Sequence, residues 1–158
     1  MAKVSIIIPC YNTEKTVCRA VNSVVHQSFR DLDIILVNDA STDGTMAKLK
    51  RLADSDSRIR VICHEKNLGL DLARFSGVRA ATSPYLCFLD ADDTMTKEGI
   101  ASLLSVAERE DADIVEGASS RVLGHLGLLK QRCHIKNRVI CPPELMDDFF
   151  ISFLVSTF

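Results

Sequence analysis

A chain of 158 residues, 47% hydrophobic and 25% charged, has the size and mix of one globular domain with a real core. Its formal net charge of −2 excludes a general polyanion binder. A nucleic-acid or membrane role would need a local basic patch, and Lys48-Leu49-Lys50-Arg51 reads as a solvated helix face, so no nucleic-acid partner is expected.

Val4 to Ile8 is a continuous apolar run with β-branched residues, stopped by Pro9, and predicts a buried strand. Asn12 or Thr13 then caps a helix through about Gln27, with Val17, Ala20, Val21, Val24 and Val25 on one face. A second buried strand, Ile34 to Val37, ends in NDASTDGT, where Asp43 caps a helix through about Ala53. Arg60 to Cys63 is the third strand. The stretch NLGLDLARFSGVRAATS is helical from about Gly69 to Ala81, and Pro84 opens a fourth strand, Tyr85 to Leu89. After an acidic loop, Thr96 caps a helix through about Glu108 with Ile100, Leu103, Leu104 and Ala107 inward, and Ile114 to Glu116 is the fifth strand. Strands alternating with helices at this spacing predict an α/β fold: a mostly parallel sheet flanked by helices on both faces.

The character changes after about Ala118, which sets the expected boundary between a unit over 1–118 and a region over 119–158. Residues 119–141 carry glycines and basic residues, with weak alternation at Arg138-Val139-Ile140, and suit a hairpin or irregular connection. Pro142-Pro143 precedes ELMDDFFISFLVS, where Leu145, Met146, Phe149, Phe150, Phe153 and Leu154 predict a helix over 144–155 with a wide apolar face. Such a face wants a partner, such as a second copy in a homodimer, and little sequence follows it. The expectation is the front part of a longer protein.

None of the six cysteines forms a C-x-x-C pair, and Cys10, Cys63 and Cys87 lie in or beside strand-like runs, where a free thiol behaves as a small hydrophobe. A reducing, cytoplasmic compartment is expected. The opening MAKVSIIIPCYN is too short in its apolar part for a signal peptide or a membrane span.

Ligands of open α/β sheets bind beyond the carboxyl ends of the strands. Three unusual loops fall there: Pro9 to Glu14, Asn38 to Asp43, and Asp90 to Asp93. The first, PCYNTE, carries neither the dinucleotide-binding glycines nor the P-loop pattern. Tyr11 could stack on a base, and Asn12 and Glu14 could hydrogen-bond a ligand; alternatively, Asn12 caps the helix and Glu14 faces its dipole. Asp39 could accept from a base N–H or a ribose hydroxyl, or close an Asx-turn. Arg74 could reach a base carbonyl or phosphate, or lie on a helix surface. Asn67 and Gly69 form the turn and helix start.

The acidic cluster in YLCFLDADDTM is the most specific local signal. Three carboxylates closing a buried strand repel one another and need compensation. Mg²⁺ or Mn²⁺ typically takes one or two carboxylates plus substrate phosphates, and D-x-D at a strand end suits that, whereas a solvated acidic turn remains the alternative. An EF-hand fails, because its glycine and glutamate positions counted from Asp90 hold Met95 and Ala101. The string also resembles the nucleophile motif of haloacid-dehalogenase-like phosphatases, but on the fourth strand rather than the first.

VSIIIPCYNTE, ILVNDASTDGT, NLGLDLARFSGVRAAT and YLCFLDADD, in that order, resemble family 2 glycosyltransferases, which have the Rossmann-like GT-A fold for nucleotide-diphosphate sugars. The closest subgroup is the bacterial enzymes that build cell-surface polysaccharides. The resemblance covers residues 3 to about 118, making 1–118 a donor-binding domain and 119–158 the start of an acceptor-side region. It implies that Pro9, Tyr11, Asn12 and Glu14 line the nucleotide pocket, with Asn67 and Gly69 nearby. Asp39 would bind the base, usually uracil, with Arg74 helping. Asp90 and Ala91 would contact the ribose or sugar side, and Asp92 would bind Mn²⁺ or Mg²⁺ bridging the phosphates.

The resemblance further implies inverting transfer to a saccharide or lipid-linked saccharide, peripheral membrane association, and a site at the inner membrane face. The family's catalytic base lies well beyond D-x-D and is expected past residue 158. Asp147 and Asp148, the late acidic pair, read as solvated. One departure is Phe75, where the family often has Asn. A non-catalytic nucleotide-binding or assembly module is the competing reading.

Overall fold

The computed structural model describes residues 2–117, 121–122, 128–129 and 153–156. In chain order the elements are β1 (Val4–Cys10), α1 (Val17–Val25), β2 (Leu32–Asn38), α2 (Thr45–Ser55), β3 (Ile59–Cys63), α3 (Leu70–Ala80), β4 (Tyr85–Phe88), α4 (Gly99–Glu110), β5 (Ile114–Glu116), β6 (Arg121–Val122), β7 (Leu128–Leu129) and β8 (Phe153–Ser156). Six strands form one sheet in the order β3-β2-β1-β4-β8-β5, and β6 pairs with β7. The first four strands are mutually parallel, and β8 runs antiparallel to both β4 and β5.

The unbroken apolar character of β1 follows from its burial on both faces. Val4, Ile6, Ile8 and Cys10 join a core with Val17, Ala20, Val21 and Val24 of α1, Leu49 of α2, and Ile100, Leu103, Leu104 and Ala107 of α4. Between them, Ile7 points the other way and packs with Ile35, Val37, Leu86 and Ala73 of α3. Each fully buried Val or Ile contributes about 1.5–3 kcal/mol relative to exposure. Helix α3 lies so close to β1 that a Cβ on Gly77 would stand 2.3 Å from Ile7 Cγ2. At the opposite end of the sheet from the loops, Ser5 donates to Asp33 and is hydrogen-bonded to the Ser83 hydroxyl, and Asp33 takes a bidentate pair from Arg60 at 2.8 Å.

The chain steps outward from β1 to β2 to β3, then crosses back past β1 to β4. The strand order therefore reverses between β1 and β4, and the crevice at the carboxyl ends of two such strands is the usual ligand position in open α/β sheets. β4 pairs with β1 only as far as Ile7, while β1 continues to Cys10 against β2. Pro9 thus lies inside the strand rather than ending it, at a point where β1 has one neighbour and can spare an N–H.

Other boundaries differ from expectation for local reasons. Helix α1 begins at Val17, because Asn12 adopts a left-handed conformation (φ 52°) and the Thr13 carbonyl accepts the Thr16 and Val17 amides in a preceding turn. Asn12 therefore caps nothing. Helix α4 begins at Gly99; Thr96 offers its backbone carbonyl to the Gly99 amide, not a side-chain cap. The N-cap of α2 is Gly44 rather than Asp43, which lies one residue earlier and accepts the Thr45 amide at 2.9 Å. Cys63 is exposed, because β3 is an edge strand, whereas Cys10 and Cys87 are buried; all three are free thiols, as is Cys18.

The helix expected over 144–155 is corrected at its end. Phe153–Ser156 is a strand inserted between β4 and β5, with Leu154 opposite Cys87 and Val115. Apolar Phe-Leu-Val suits a strand as well as a helix when two open strand edges await it. Residues 144–152, which carry most of the apolar face expected to meet a second copy, lie outside the described residues. So do Arg138–Ile140, although a short hairpin does form at β6 and β7. Among the described residues, no helix is long and apolar enough to cross a membrane.

Candidate functional site

The loops after β1 and β2 are stitched together before any ligand is considered. The Asn12 amide donates to Ser41 Oγ at 3.1 Å, and Asn12 Oδ1 accepts the Thr42 amide at 2.8 Å. The Thr13 amide donates to Thr45 Oγ1 at 2.8 Å, and the Glu14 amide to Asp43 Oδ2 at 3.1 Å. Glu14 Oε2 accepts the Gly44 amide at 3.2 Å, and Lys48 donates to the Glu14 carbonyl. A Cβ at Gly44 would lie 2.6 Å from the Glu14 carboxyl, so a larger residue there would push that side chain off the Gly44 amide. Asn12 and Glu14 therefore spend their side chains on the loops. Pro9 is buried beneath them, and Tyr11 stands 48% exposed, leaving its ring available for stacking.

Asp39 follows β2 and is almost fully buried. Its amide donates to the Cys10 carbonyl at 2.9 Å, which fixes it beside the end of β1. Its carboxylate is wrapped by donors: Oδ1 accepts from His64 Nδ1 at 2.7 Å and the Leu68 amide at 2.9 Å, and Oδ2 accepts the Gly69 amide at 2.9 Å. Burial pushes the Asp39 carboxyl up, but His64 and the two amides outweigh it and hold the group below the usual carboxylate range. Asn67 Oδ1 shares the Gly69 amide at 3.0 Å, and Gly69 takes φ 89°, a turn that glycine accommodates freely. Asn67 and Gly69 thus shape the wall around Asp39. The next residue, Ala40, is also left-handed (φ 55°), a strained state for alanine.

On the other side of the crevice, Arg74 is buried and Nη2 donates to Asp90 Oδ1 at 2.7 Å, joining α3 to the end of β4. The Asp90 side chain stays 40% exposed. Ala91 is buried, and Asp92 is exposed, with its carboxylate in no hydrogen bond among the described residues. Burial, then the neighbouring charges of Asp92 and Asp90, push the Asp93 carboxyl up, and Arg19 opposes them. What holds this loop is its backbone. Arg19 donates to the Asp92 carbonyl at 2.6 Å, Ser23 Oγ accepts the Met95 amide at 3.0 Å, and buried Gln27 donates to the Thr96 carbonyl at 2.7 Å while accepting the Ile100 amide at 3.0 Å.

These carboxylates fit a hard divalent cation in one specific sense. Asp92 and Asp90 both push the Asp93 carboxyl up, Asp92 is exposed, and the Asp90 side chain is 40% exposed beside its Arg74 partner. No group of three side chains placed to hold a metal ion exists among the described residues, so any ion here would need ligands from elsewhere. His64, Ser76, Arg19, Ser23 and Gln27 were not singled out from sequence. Only the spacing of four between Arg19, Ser23 and Gln27, a polar stripe beside the apolar face of α1, hinted at a surface with a partner.

The family model for Glycosyl transferase family 2 matches residues 5–149. A glycosyltransferase described as uncharacterized, EpsJ of Bacillus subtilis (strain 168), is 40% identical over 112 residues, covering 71% of this chain and 32% of that protein. The structure of S. aureus TarS in complex with UDP-GlcNAc superimposes with a TM-score of 0.68 at 26% identity, over 72% of this chain and 33% of that one. The mannosyltransferase PcManGT from Pyrobaculum calidifontis, in complex with GDP-Man and Mn²⁺, shares the fold with a TM-score of 0.70 at 22% identity, covering 75% of this chain and 36% of that one. The chain spans about a third of the length of the curated relatives it matches.

Proposed function

Because the chain belongs to glycosyl transferase family 2, we propose that residues 1–118 are the donor-binding part of an inverting glycosyltransferase that uses a nucleotide-diphosphate sugar, with UDP the favoured carrier. The observation that carries this reading is the convergence, at the carboxyl ends of β1, β2 and β4, of an acceptor-only carboxylate (Asp39), a buried Arg74 paired with the partly exposed Asp90, and the exposed Asp92. The likeness to TarS, whose structure holds UDP-GlcNAc, supports the carrier. The phosphatase alternative falls with the family match.

Each residue has work suited to its environment. Asp39 accepts an N–H of the base, and Tyr11 covers the base with its exposed ring. Arg74 and Asp90 turn together toward the ribose and the sugar. Asp92, with Asp90 beside it, would hold Mn²⁺ or Mg²⁺, which when bound supplies the positive charge that a glycine-poor phosphate site lacks. In the transfer itself, the acceptor hydroxyl oxygen bonds to the anomeric carbon as the carbon–oxygen bond to the diphosphate breaks on the opposite face. The electron pair leaves with the nucleoside diphosphate, and the hydroxyl proton passes to a carboxylate base outside the residues described. Charge on the departing diphosphate is what the site must stabilise.

Cell-surface polysaccharide synthesis on a saccharide or lipid-linked acceptor, at the cytoplasmic face of the membrane, completes the reading; the free thiols of Cys10, Cys18, Cys63 and Cys87 support a reducing compartment. The test is thermal. UDP with Mn²⁺ should raise the melting temperature, by mass action on the folded state, and Asp92→Ala should remove the metal-dependent share. No shift with any nucleoside diphosphate at millimolar concentration rejects the proposal.

A further inference from the structure

Asp39 is held by a relay that the sequence motifs did not include. His64 Nδ1 lies 2.7 Å from Asp39 Oδ1, and His64 Nε2 lies 2.9 Å from Ser76 Oγ on α3. Both side chains of the first pair are shielded, His64 at 9% and Asp39 at 4% exposure. The backbone backs this arrangement, since the His64 amide donates to the Asn38 carbonyl at 3.0 Å. Resting on the nucleotide-binding reading above, we propose that His64, backed by Ser76, is a positioning residue that locks Asp39 as a hydrogen-bond acceptor toward the base and thereby sets base selectivity.

The argument is one of donors and acceptors. An ionised carboxylate can only accept, so Nδ1 must carry the proton in the His64–Asp39 bond. Ser76 Oγ, which can donate or accept, completes the row at Nε2. Every group in the row is oriented by the next. Oδ1 already takes two donors, from His64 and Leu68, whereas Oδ2 takes only the Gly69 amide. A carboxylate oxygen has room for two, so the remaining acceptor position belongs to Oδ2.

A base that presents an N–H there is accepted, as uracil does at its imide. A base that presents a lone pair at the equivalent ring position, as cytosine does, is refused, because two acceptors face each other without a proton between them. Without His64, Oδ1 keeps only the Leu68 amide, so a second acceptor position opens, the carboxylate is less firmly oriented toward the base, and the refusal weakens. The relay would thus govern discrimination more than affinity, which separates it from a merely structural tie.

Titration calorimetry of the full-length chain with UDP and with CDP, each in Mn²⁺, tests this. The wild type should favour UDP by about tenfold or more, the scale of one mismatched buried hydrogen bond. His64→Ala should bring the UDP:CDP ratio to within about threefold of unity. His64→Asn, which returns an N–H donor near the Nδ1 position, should restore most of it. Ser76→Ala, more conservative for folding, should lower the ratio by a smaller factor and decides the matter if His64→Ala does not fold. A folded His64→Ala that keeps the wild-type ratio overturns the relay and leaves the nucleotide reading standing, as does an unchanged ratio in Ser76→Ala when His64→Ala is unfolded. A wild-type chain that binds neither nucleotide overturns the nucleotide reading first.

Discussion

Two aspartates at the same end of one sheet are built in opposite ways. Asp39 is buried, and both of its oxygens are engaged by the loop before α3 and by His64. Asp92 is exposed, and the protein grips its backbone through Arg19 while its carboxylate stays open. The first arrangement fixes a direction, as reading one edge of a planar base requires. The second fixes only a location and leaves the oxygens free to adapt to an ion and to phosphates. Recognition of shape wants stiffness, and charge compensation tolerates play.

Removing the buried member should be the more damaging change. Asp39→Ala strands two backbone amides and an imidazole N–H, and should cost about 3 kcal/mol or more in chemical denaturation. Gln27→Ala attacks the hold on the acidic loop rather than its carboxylates, stranding the Ile100 amide; about 2 kcal/mol is expected, with a weaker response to Mn²⁺.

Acid sharpens the contrast next. The Asp39 carboxyl is depressed in the folded protein, so its stabilisation is complete above its unfolded value of about 4. That stabilisation is lost as pH falls through the lower folded value. Urea midpoints measured from neutral pH downward should therefore decline less steeply in Asp39→Ala than in the wild type. A parallel decline would contradict the wrapped carboxylate. Ala40→Gly, by relieving the left-handed alanine next to Asp39, should add about 0.5–1 kcal/mol. Smallest of all, Asp92→Ala should shift stability by under about 0.5 kcal/mol in the absence of ligand. A large loss there would mean that Asp92 is structural after all.

Much of this was legible in the amino acids. Runs such as Val4 to Ile8 and Ile34 to Val37, rich in β-branched residues and bounded by Pro9 and by a turn-rich loop, read as doubly covered strands, and the strand–helix alternation ordered the rest. What periodicity could not supply was the loop chemistry. Asn12 followed by Thr13 looked like a cap, yet Asn12 turned left-handed to reach Thr42, a residue 30 positions away. Glu14 reads from the sequence as a ligand or helix-dipole group, and its bond to the Gly44 amide across the two loops carried no signal there. His64 carried no signal, because its partners lie in two other segments. Phe153–Ser156 misled for a different reason: an apolar run near the end of the sequence has no intrinsic period long enough to separate a strand from a helix, and β4 and β5 decided it.

That inserted strand has a consequence for how the molecule is made. A chain emerging from the ribosome can assemble β1 to β4 and their helices early, from contacts within the first 117 residues. Its β4 side then stays open, with a row of unpaired peptide groups, until Phe153–Ser156 has been synthesised and threads between β4 and β5. During that interval the nascent protein is a sticky template for neighbouring nascent chains, and truncation anywhere before this segment would make the hazard permanent.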